Sequence, residues 1–384
     1  IGRGWITVSV APPMSSMIYL VAGEHSGDTR GAELMVALRK EDPGVKFAGL
    51  GGPKMAELAG GRIKDWLEGA AVMGFVEVLK RYSWFKARFE ETKAEILELE
   101  PEAVVLVDYP GFNLRLAKAL RSAGTGAKLV DYISPQVWAW HRGRVRQMVE
   151  YLDLMLCLFD FEQEIFEGAG LKTVVMGHPM VDQLEEKRIE GGRVENLIGF
   201  FPGSREREVA RLFPTMLEAA KELREKNSEL KFEAAAASDS LREMMESLIA
   251  QAEFPEGVVT VKTGTSQELM QRASCGVVAS GTATMEATYY GMPYCLVYKV
   301  AWPTYVMGKA LMEVDFIGMA NIIAGRQVVP EFVQQEATAR NVSAFLESVL
   351  VDETRREELQ RELREVAVKL GPGGAAGIAA RAVM

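Results

Sequence analysis

The chain of 384 residues is short of several things that would place it in a specialised class. It has three cysteines, Cys157, Cys275 and Cys295, an odd number in apolar surroundings without short paired spacing, which argues against a disulfide framework or a cysteine zinc site and fits a reducing cytoplasm. Its three histidines, His25, His141 and His178, lack metal-ligand spacing, so no metal is expected. No apolar run reaches the roughly 18–20 residues needed to cross a bilayer, so the chain can at most lie on one. Positive charge is outweighed: 44 Lys+Arg against 53 Asp+Glu leave a net charge of -9, the wrong balance for a general nucleic-acid binder. The dinucleotide fingerprint G-x-G-x-x-G is missing too, since Gly23, Gly27 and Gly31 are spaced by four. Residues 1–16, with Arg3 and Pro12-Pro13, make too weak a signal peptide and are expected to be a disordered extension.

What the chain does have is alternation. From Met17 onward, short β-rich runs alternate with glycine-containing loops and helix-length amphipathic segments, and runs such as Val104-Val105-Leu106-Val107 suit parallel strands covered on both faces. A charged stretch, Gln183 to Glu195, has no apolar periodicity and reads as a linker, after which the alternation restarts. The expected fold is therefore α/β, with two doubly wound Rossmann-like domains, residues 17–185 and 196–350, and a ligand cleft between the carboxyl edges of their sheets. Residues 351–384 add a charge-laced helix and a Gly/Ala-rich tail, expected to pack back on the first domain or on a partner subunit.

Several strand ends carry residues suited to chemistry, each with a plainer reading beside it. Gly23-Glu24-His25-Ser26-Gly27-Asp28 brings backbone close to a ligand at a helix start, or is a turn capped by Ser26 or Asp28. Asp108, at the end of the apolar strand, is placed for general-base work if partly desolvated, or forms the turn before Pro110. In Pro202-Gly203-Ser204-Arg205, Ser204 reads as a helix N-cap; Arg205 at the positive end of that helix makes sense if an anion binds there, unless Glu206 and Glu208 merely neutralise it. In Ser280-Gly281-Thr282 and on to Glu286, Thr282 reads as a cap and Glu286 as a ribose-diol acceptor or a surface charge. Trp138 and Trp140 beside Arg142 and Arg146 suit a phosphorylated amphiphile or an ordinary solvated face, and His178 is a buried turn residue or a cleft residue. Met73, Phe75, Val76 and Trp84, with Lys80, Arg81, Lys86 and Arg88 nearby, suit the edge of a bilayer, or belong to the core.

Taken in chain order, these segments resemble the lipid-A-disaccharide synthase family of inverting glycosyltransferases with the two-domain GT-B architecture. The likeness also takes in Val76-Glu77-Val78-Leu79, Tyr109-Pro110-Gly111-Phe112-Asn113, Ser134-Pro135-Gln136-Val137, Gly177-His178-Pro179 and Asn321-Ile322-Ile323-Ala324-Gly325-Arg326, and covers about Met17 to Leu350. Tyr109, Lys299 and the tail from Gly371 depart from the family's usual pattern. The resemblance implies transfer of diacylglucosamine from UDP-2,3-diacylglucosamine to the 6-hydroxyl of 2,3-diacylglucosamine 1-phosphate, giving the β-1,6 disaccharide and UDP without a cofactor or metal. It implies Asp108 as the catalytic base. Gly203, Ser204, Arg205, Ser280, Gly281, Thr282, Glu286 and Asn321 would hold the UDP-sugar, and Glu24, Ser26, Gly27, Asp28, Asn113, Ser134, Trp138 and His178 would line the acceptor side. It further implies work at the cytoplasmic face of the inner membrane and a homodimer with exchanged C-terminal segments. Competing readings are another GT-B enzyme such as a UDP-GlcNAc 2-epimerase, and a non-enzymatic two-lobed sugar-nucleotide-binding protein.

Overall fold

The computed structural model describes residues 16–70, 82–140, 143–302, 305, 306, 309, 312 and 314–384, apart from the side chains of Trp138 and Trp140. Met73, Phe75 and Val76, and the side chain of Trp138, thus lie outside the described residues.

Two all-parallel sheets account for the alternation. The first contains β1 Met17–Ala22, β2 Lys46–Gly51, β3 Ile63–Asp65, β4 Ala103–Val107, β5 Lys128–Tyr132, β6 Leu154–Cys157 and β7 Thr173–Val175, in the order β3-β2-β1-β4-β5-β6-β7. The second contains β8 Val194–Phe201, β9 Lys231–Ala236, β10 Val259–Thr263, β11 Ala273–Ala279, β12 Tyr294–Tyr298 and β13 Glu331–Val333, in the order β10-β9-β8-β11-β12-β13. β4 shows why unbroken apolar runs are needed. Val105 and Val107 face the core beneath helix His25–Glu41, Val104 and Leu106 face the opposite core beneath helix Pro110–Ser122, and all four are fully buried. Helices covering both faces leave no side of the strand for a polar residue.

β3 and β13 escape a sequence reading because each has three residues and β3 offers a single apolar one, Ile63. The helix expected over Val78 to Leu99 is described from Tyr82 to Leu99. The linker is also shorter than its polarity implies. Helix Met180–Glu186 occupies its start, β8 begins at Val194, and Leu184 is buried in the core of the second half. Arg193 closes the segment by donating to the carbonyls of Met270, Ala273 and Tyr290 at 2.8, 2.6 and 2.7 Å.

The tail divides between the halves. Helix Glu353–Val368 packs on helices Thr282–Tyr289 and Ala339–Val351 of the second half, whereas helix Ala375–Val383 lies against His25–Glu41 of the first. Lys128 Nζ donates to the carbonyls of Ala382 and Val383 at 2.8 and 3.1 Å, fixing that last helix by its end. The backbone thus crosses between the halves twice, and the crossings touch. Gly177 and Gly371 both have positive φ, and a Cβ on Gly371 would fall 2.7 Å from the Gly177 Cα. The His178 N–H donates to the Leu370 carbonyl at 2.6 Å, and the Gly374 N–H to Asp182 Oδ1 at 2.8 Å.

Candidate active site

In a doubly wound sheet, ligands bind outside the carboxyl ends of the strands where the strand order reverses. That point lies between β1 and β4 in the first sheet and between β8 and β11 in the second. The four loops leaving these strands are Gly23 to Asp28, Asp108 to Asn113, Pro202 to Arg205 and Ser280 to Glu286, the segments in which the sequence concentrates its polar and glycine residues.

In the first half, Asp108 and Tyr109 have φ of 48° and 52°, a left-handed pair that costs about 1–3 kcal/mol per residue and requires support. Asn113 supplies it: its buried Nδ2 donates to the Asp108 carbonyl at 2.6 Å and lies 3.3 and 3.4 Å from those of Val21 and Val107. Pro110, with φ already set for the first helical turn, carries the chain onward. Asp108 is half-buried, and burial raises its carboxyl above the usual carboxylate range, while a backbone hydrogen bond at Tyr109 opposes the shift. The Tyr109 ring lies over Gly23, where a Cβ would come within 2.4 Å of it, and its hydroxyl donates to the Ala70 carbonyl at 3.2 Å. Glu24 and Ser26 are exposed at the start of helix His25–Glu41, which has no side-chain cap.

Other members of the expected acceptor side are committed elsewhere. Asp28 is buried and accepts from the N–H groups of Gly52, Lys54 and Met55 at 2.9, 3.1 and 3.0 Å, so it caps helix Pro53–Leu58 and does not face a ligand. Gly27 is buried in the same turn, and Asn113 Nδ2 is spent on backbone, while its buried Oδ1 has no hydrogen-bond partner among the described residues. The Ser134 hydroxyl is buried beside the Cys157 thiol. His178 sits at the chain crossing: its Nδ1 accepts from the Met180 N–H at 3.1 Å, and burial first, then the Arg30 charge, lowers its pKa to about 4. Trp84 stacks on Trp66 at 5.9 Å within an aromatic cluster that includes Phe85, so it is packed and not presented as a free lipid contact.

A group that sequence reasoning missed lies one strand from Asp108. Asp131 of β5 is paired in register with Leu106, is 2% exposed, and its Oδ1 has no hydrogen-bond partner among the described residues. Burial, reinforced by the Asp108 charge, raises its pKa well above the ordinary value. An acid inside an apolar strand carries no signal of its own; only the register reveals its neighbour.

In the second half, two helices start at adjacent strand ends without side-chain caps. Helix Glu206–Lys226 has Arg205 as N-cap, in place of the expected Ser204, and helix Thr282–Tyr289 has Gly281 there, in place of Thr282. Gly203 has φ of 109° and leaves room for Glu208 to fold over it, the carboxylate lying 2.5 Å from where a Cβ would stand. Arg205, 78% exposed on its side chain, pairs with that same Glu208 at 3.0 Å. A surface pair of this kind contributes at most about 1 kcal/mol, so an anion can displace it. Ser204, Gly281 and Thr282 are exposed, Ser280 is half-buried, and there is open space above Gly281. Glu286 is half-buried on the first turns of its helix and accepts from Gln267 Nε2 at 3.1 Å. Asn321 is buried and holds a loop: Oδ1 accepts from the N–H groups of Val328 and Val329, while Nδ2 donates to the Val329 carbonyl and Glu331.

A cavity of about 890 Å³ connects the halves, with Gln136 and Ala139 from the first and Ser280, Tyr298, Val300 and Glu331 among those from the second. Among the described residues no cluster of three or more His, Cys, Asp or Glu side chains is arranged to hold a metal, and no helix is long and apolar enough to cross a membrane.

Comparison with solved structures recovers this architecture. The UDP-GlcNAc 2-epimerase of Neisseria meningitidis, bound to UDP-GlcNAc, superposes with a TM-score of 0.56 at 13% identity over 96% of this chain and 99% of that one. MurG of Acinetobacter baumannii gives 0.56 at 14% identity over 96% and 99%. At such identities the likeness establishes the two-domain fold alone. Sequence relatives are much nearer. The lipid-A-disaccharide synthase of Geobacter sulfurreducens is 38% identical over 371 residues, covering 94% of each chain, and that of Myxococcus xanthus is 36% identical over 376 residues, covering 96% of each. The family model described as lipid-A-disaccharide synthetase matches residues 18–373 of the 384. The chain belongs to the lipid-A-disaccharide synthase family.

Proposed function

We propose that the chain transfers diacylglucosamine from UDP-2,3-diacylglucosamine to the 6-hydroxyl of 2,3-diacylglucosamine 1-phosphate. Hexosyl transfer from a UDP-sugar in lipid A biosynthesis comes with the family; the acceptor, the residue roles and the membrane surface are inferred. The observation that carries the reading is the placement of a pair of polar loops at the strand-order reversal of each sheet, one pair bearing a half-buried carboxylate and the other two uncapped helix starts.

In this reading Asp108 accepts the proton of the acceptor hydroxyl as its oxygen attacks the anomeric carbon. The bond to UDP breaks on the opposite face, so the α-linked donor yields a β-linked product by single displacement. Charge growing on the leaving diphosphate is met by the N–H groups opening helices Glu206–Lys226 and Thr282–Tyr289 and by Arg205, which leaves Glu208 for the phosphate; no metal is part of the scheme. Glu286, oriented by Gln267, accepts from the ribose diol. The acceptor lies on the first half, beside Glu24 and Ser26, and the segment carrying Met73, Phe75 and Val76 meets the inner-membrane surface.

Two variants separate these roles. Asp108→Ala is expected to abolish disaccharide formation with UDP affinity unchanged by calorimetry, whereas Arg205→Ala is expected to weaken UDP binding more than tenfold, the scale of one charge-assisted contact. Near-normal turnover by the first variant would remove Asp108 as the base.

A further inference from the structure

We propose that the cavity between the halves takes a fatty acyl chain of the UDP-linked donor, entering from a lipid surface past Trp302, Tyr305 and Val306. The inference rests on the glycosyl-transfer reading and adds to it a place for the donor's lipid part. Ser280, the last residue before the second uncapped helix start, is part of the cavity wall, so the space adjoins the position where the donor sugar would sit. Much of the remaining wall is apolar, including Val300, Met319, Ile322 and Val333.

Two polar groups, Glu331 in that wall and Gln334 beside it, are already committed to the protein itself. Glu331 accepts from the N–H groups of Ile317 and Gly318 at 2.8 and 2.9 Å and from Asn321 Nδ2 at 2.8 Å. Gln334, next to Val333, accepts from the Val300 N–H at 2.9 Å and donates to the Val300 carbonyl at 3.1 Å. These two groups are spent on holding the loops, while Gln136, Asp315, Gln327, Gln335 and Glu336 make up the rest of the wall's amide and carboxylate share. A volume of about 890 Å³ is in the range of ligand sites, roughly 300–1,000 Å³, and an apolar occupant gains from every methylene it buries there.

The rim points to where such a chain comes from. Trp302 is 56% exposed and Val306 48% exposed, Trp302 packs on Tyr305 at 5.7 Å, and the Lys309 ammonium lies 6.0 Å from the centre of the Tyr305 ring. Tyr305 and Lys309 also line the cavity. Exposed aromatics beside a lysine match a bilayer interface, where rings sit at headgroup level and an ammonium meets lipid phosphate. The exposed surface and the apolar wall are thus continuous.

The test uses the full chain, a fixed acceptor and UDP-sugar donors whose two acyl chains have four or eight carbons, kept below their micelle concentrations. In the parent protein kcat/KM is expected to rise at least tenfold from the shorter to the longer donor, since burying one methylene is worth roughly fourfold. Ile322→Trp, which fills the cavity, is expected to remove that preference while turnover of the four-carbon donor persists. Val333→Phe provides a second, milder filling, and UDP affinity by calorimetry reports that each variant is folded. A parent protein indifferent to chain length, or a preference that survives both fillings in folded variants, would overturn the acyl site. Absence of turnover with every donor would instead overturn the glycosyl-transfer reading on which it rests.

Discussion

Tyr109 shows how one side chain can set another residue's position. Its ring occupies the space over Gly23, and it follows Asp108 in an unbroken left-handed pair, so any push on the ring is passed to the carboxylate through two strained residues. Gly23→Ala places a methyl group 2.4 Å from the ring. Turnover is expected to fall more than tenfold with UDP affinity unchanged, and the double variant Gly23→Ala/Tyr109→Ala is expected to recover most of it. Steady-state kinetics on the three proteins checks this; equal loss in the single and double variants would mean that Gly23 matters for another reason. Sequence spacing identified Asp108 as a strand-end carboxylate, but not the buried Asp131 beside it or the ring over Gly23. Both depend on contacts between strands that are far apart in the chain.

At the scale of elements, the loops were legible because βα units place strand ends and helix starts together, and glycines with small polar residues mark those joints. Their partners were less so. Ser204 and Thr282 look like caps, yet the N-cap positions fall on Arg205 and Gly281, leaving both helix starts with unpaired N–H groups. A typical Ser or Thr cap contributes about 1 kcal/mol, so forgoing two of them costs stability at the place where the proposed mechanism puts the diphosphate. Asp28 illustrates the opposite case, a loop carboxylate consumed as the cap of a different helix, Pro53–Leu58, whose start is 25 residues on in the chain. The apolar segment with Met73 and Phe75 is an element whose role rests on its sequence. Changing both residues to Ser is expected to reduce flotation of the protein with liposomes of anionic phospholipid; undiminished flotation would return the segment to the core.

For the molecule as a whole, the alternation foretold two Rossmann-like halves, while the way they are joined was hidden in glycines. The core of the second half takes in Met180, Val181 and Leu370, and that of the first takes in Met176 and Ala375, so the boundary falls at residues 177–179 and 371–374. His178 is built into this joint as a neutral ring. Its pKa in the folded chain, about 4, is below the ordinary value of about 6.5, so the unfolded chain binds more protons between those limits. Stability from this group is complete above pH 6.5 and is lost as pH falls toward 4, at up to about 1.4 kcal/mol per pH unit. His178→Gln is expected to lessen the dependence of Tm on pH across that window, measured by thermal unfolding at a series of pH values; an unaltered slope would show that the ring titrates normally.

These scales meet in one claim, that the two strand-order reversals face each other so that a hydroxyl activated on the first half attacks a sugar held by its UDP on the second. The direct measurement is the product formed when purified protein is given UDP-2,3-diacylglucosamine and 2,3-diacylglucosamine 1-phosphate. The account predicts one UDP for each β-1,6-linked disaccharide 1-phosphate, with no UDP when the acceptor's 6-hydroxyl is replaced by hydrogen. Epimerised donor, or UDP released at the same rate without any disaccharide, would contradict it.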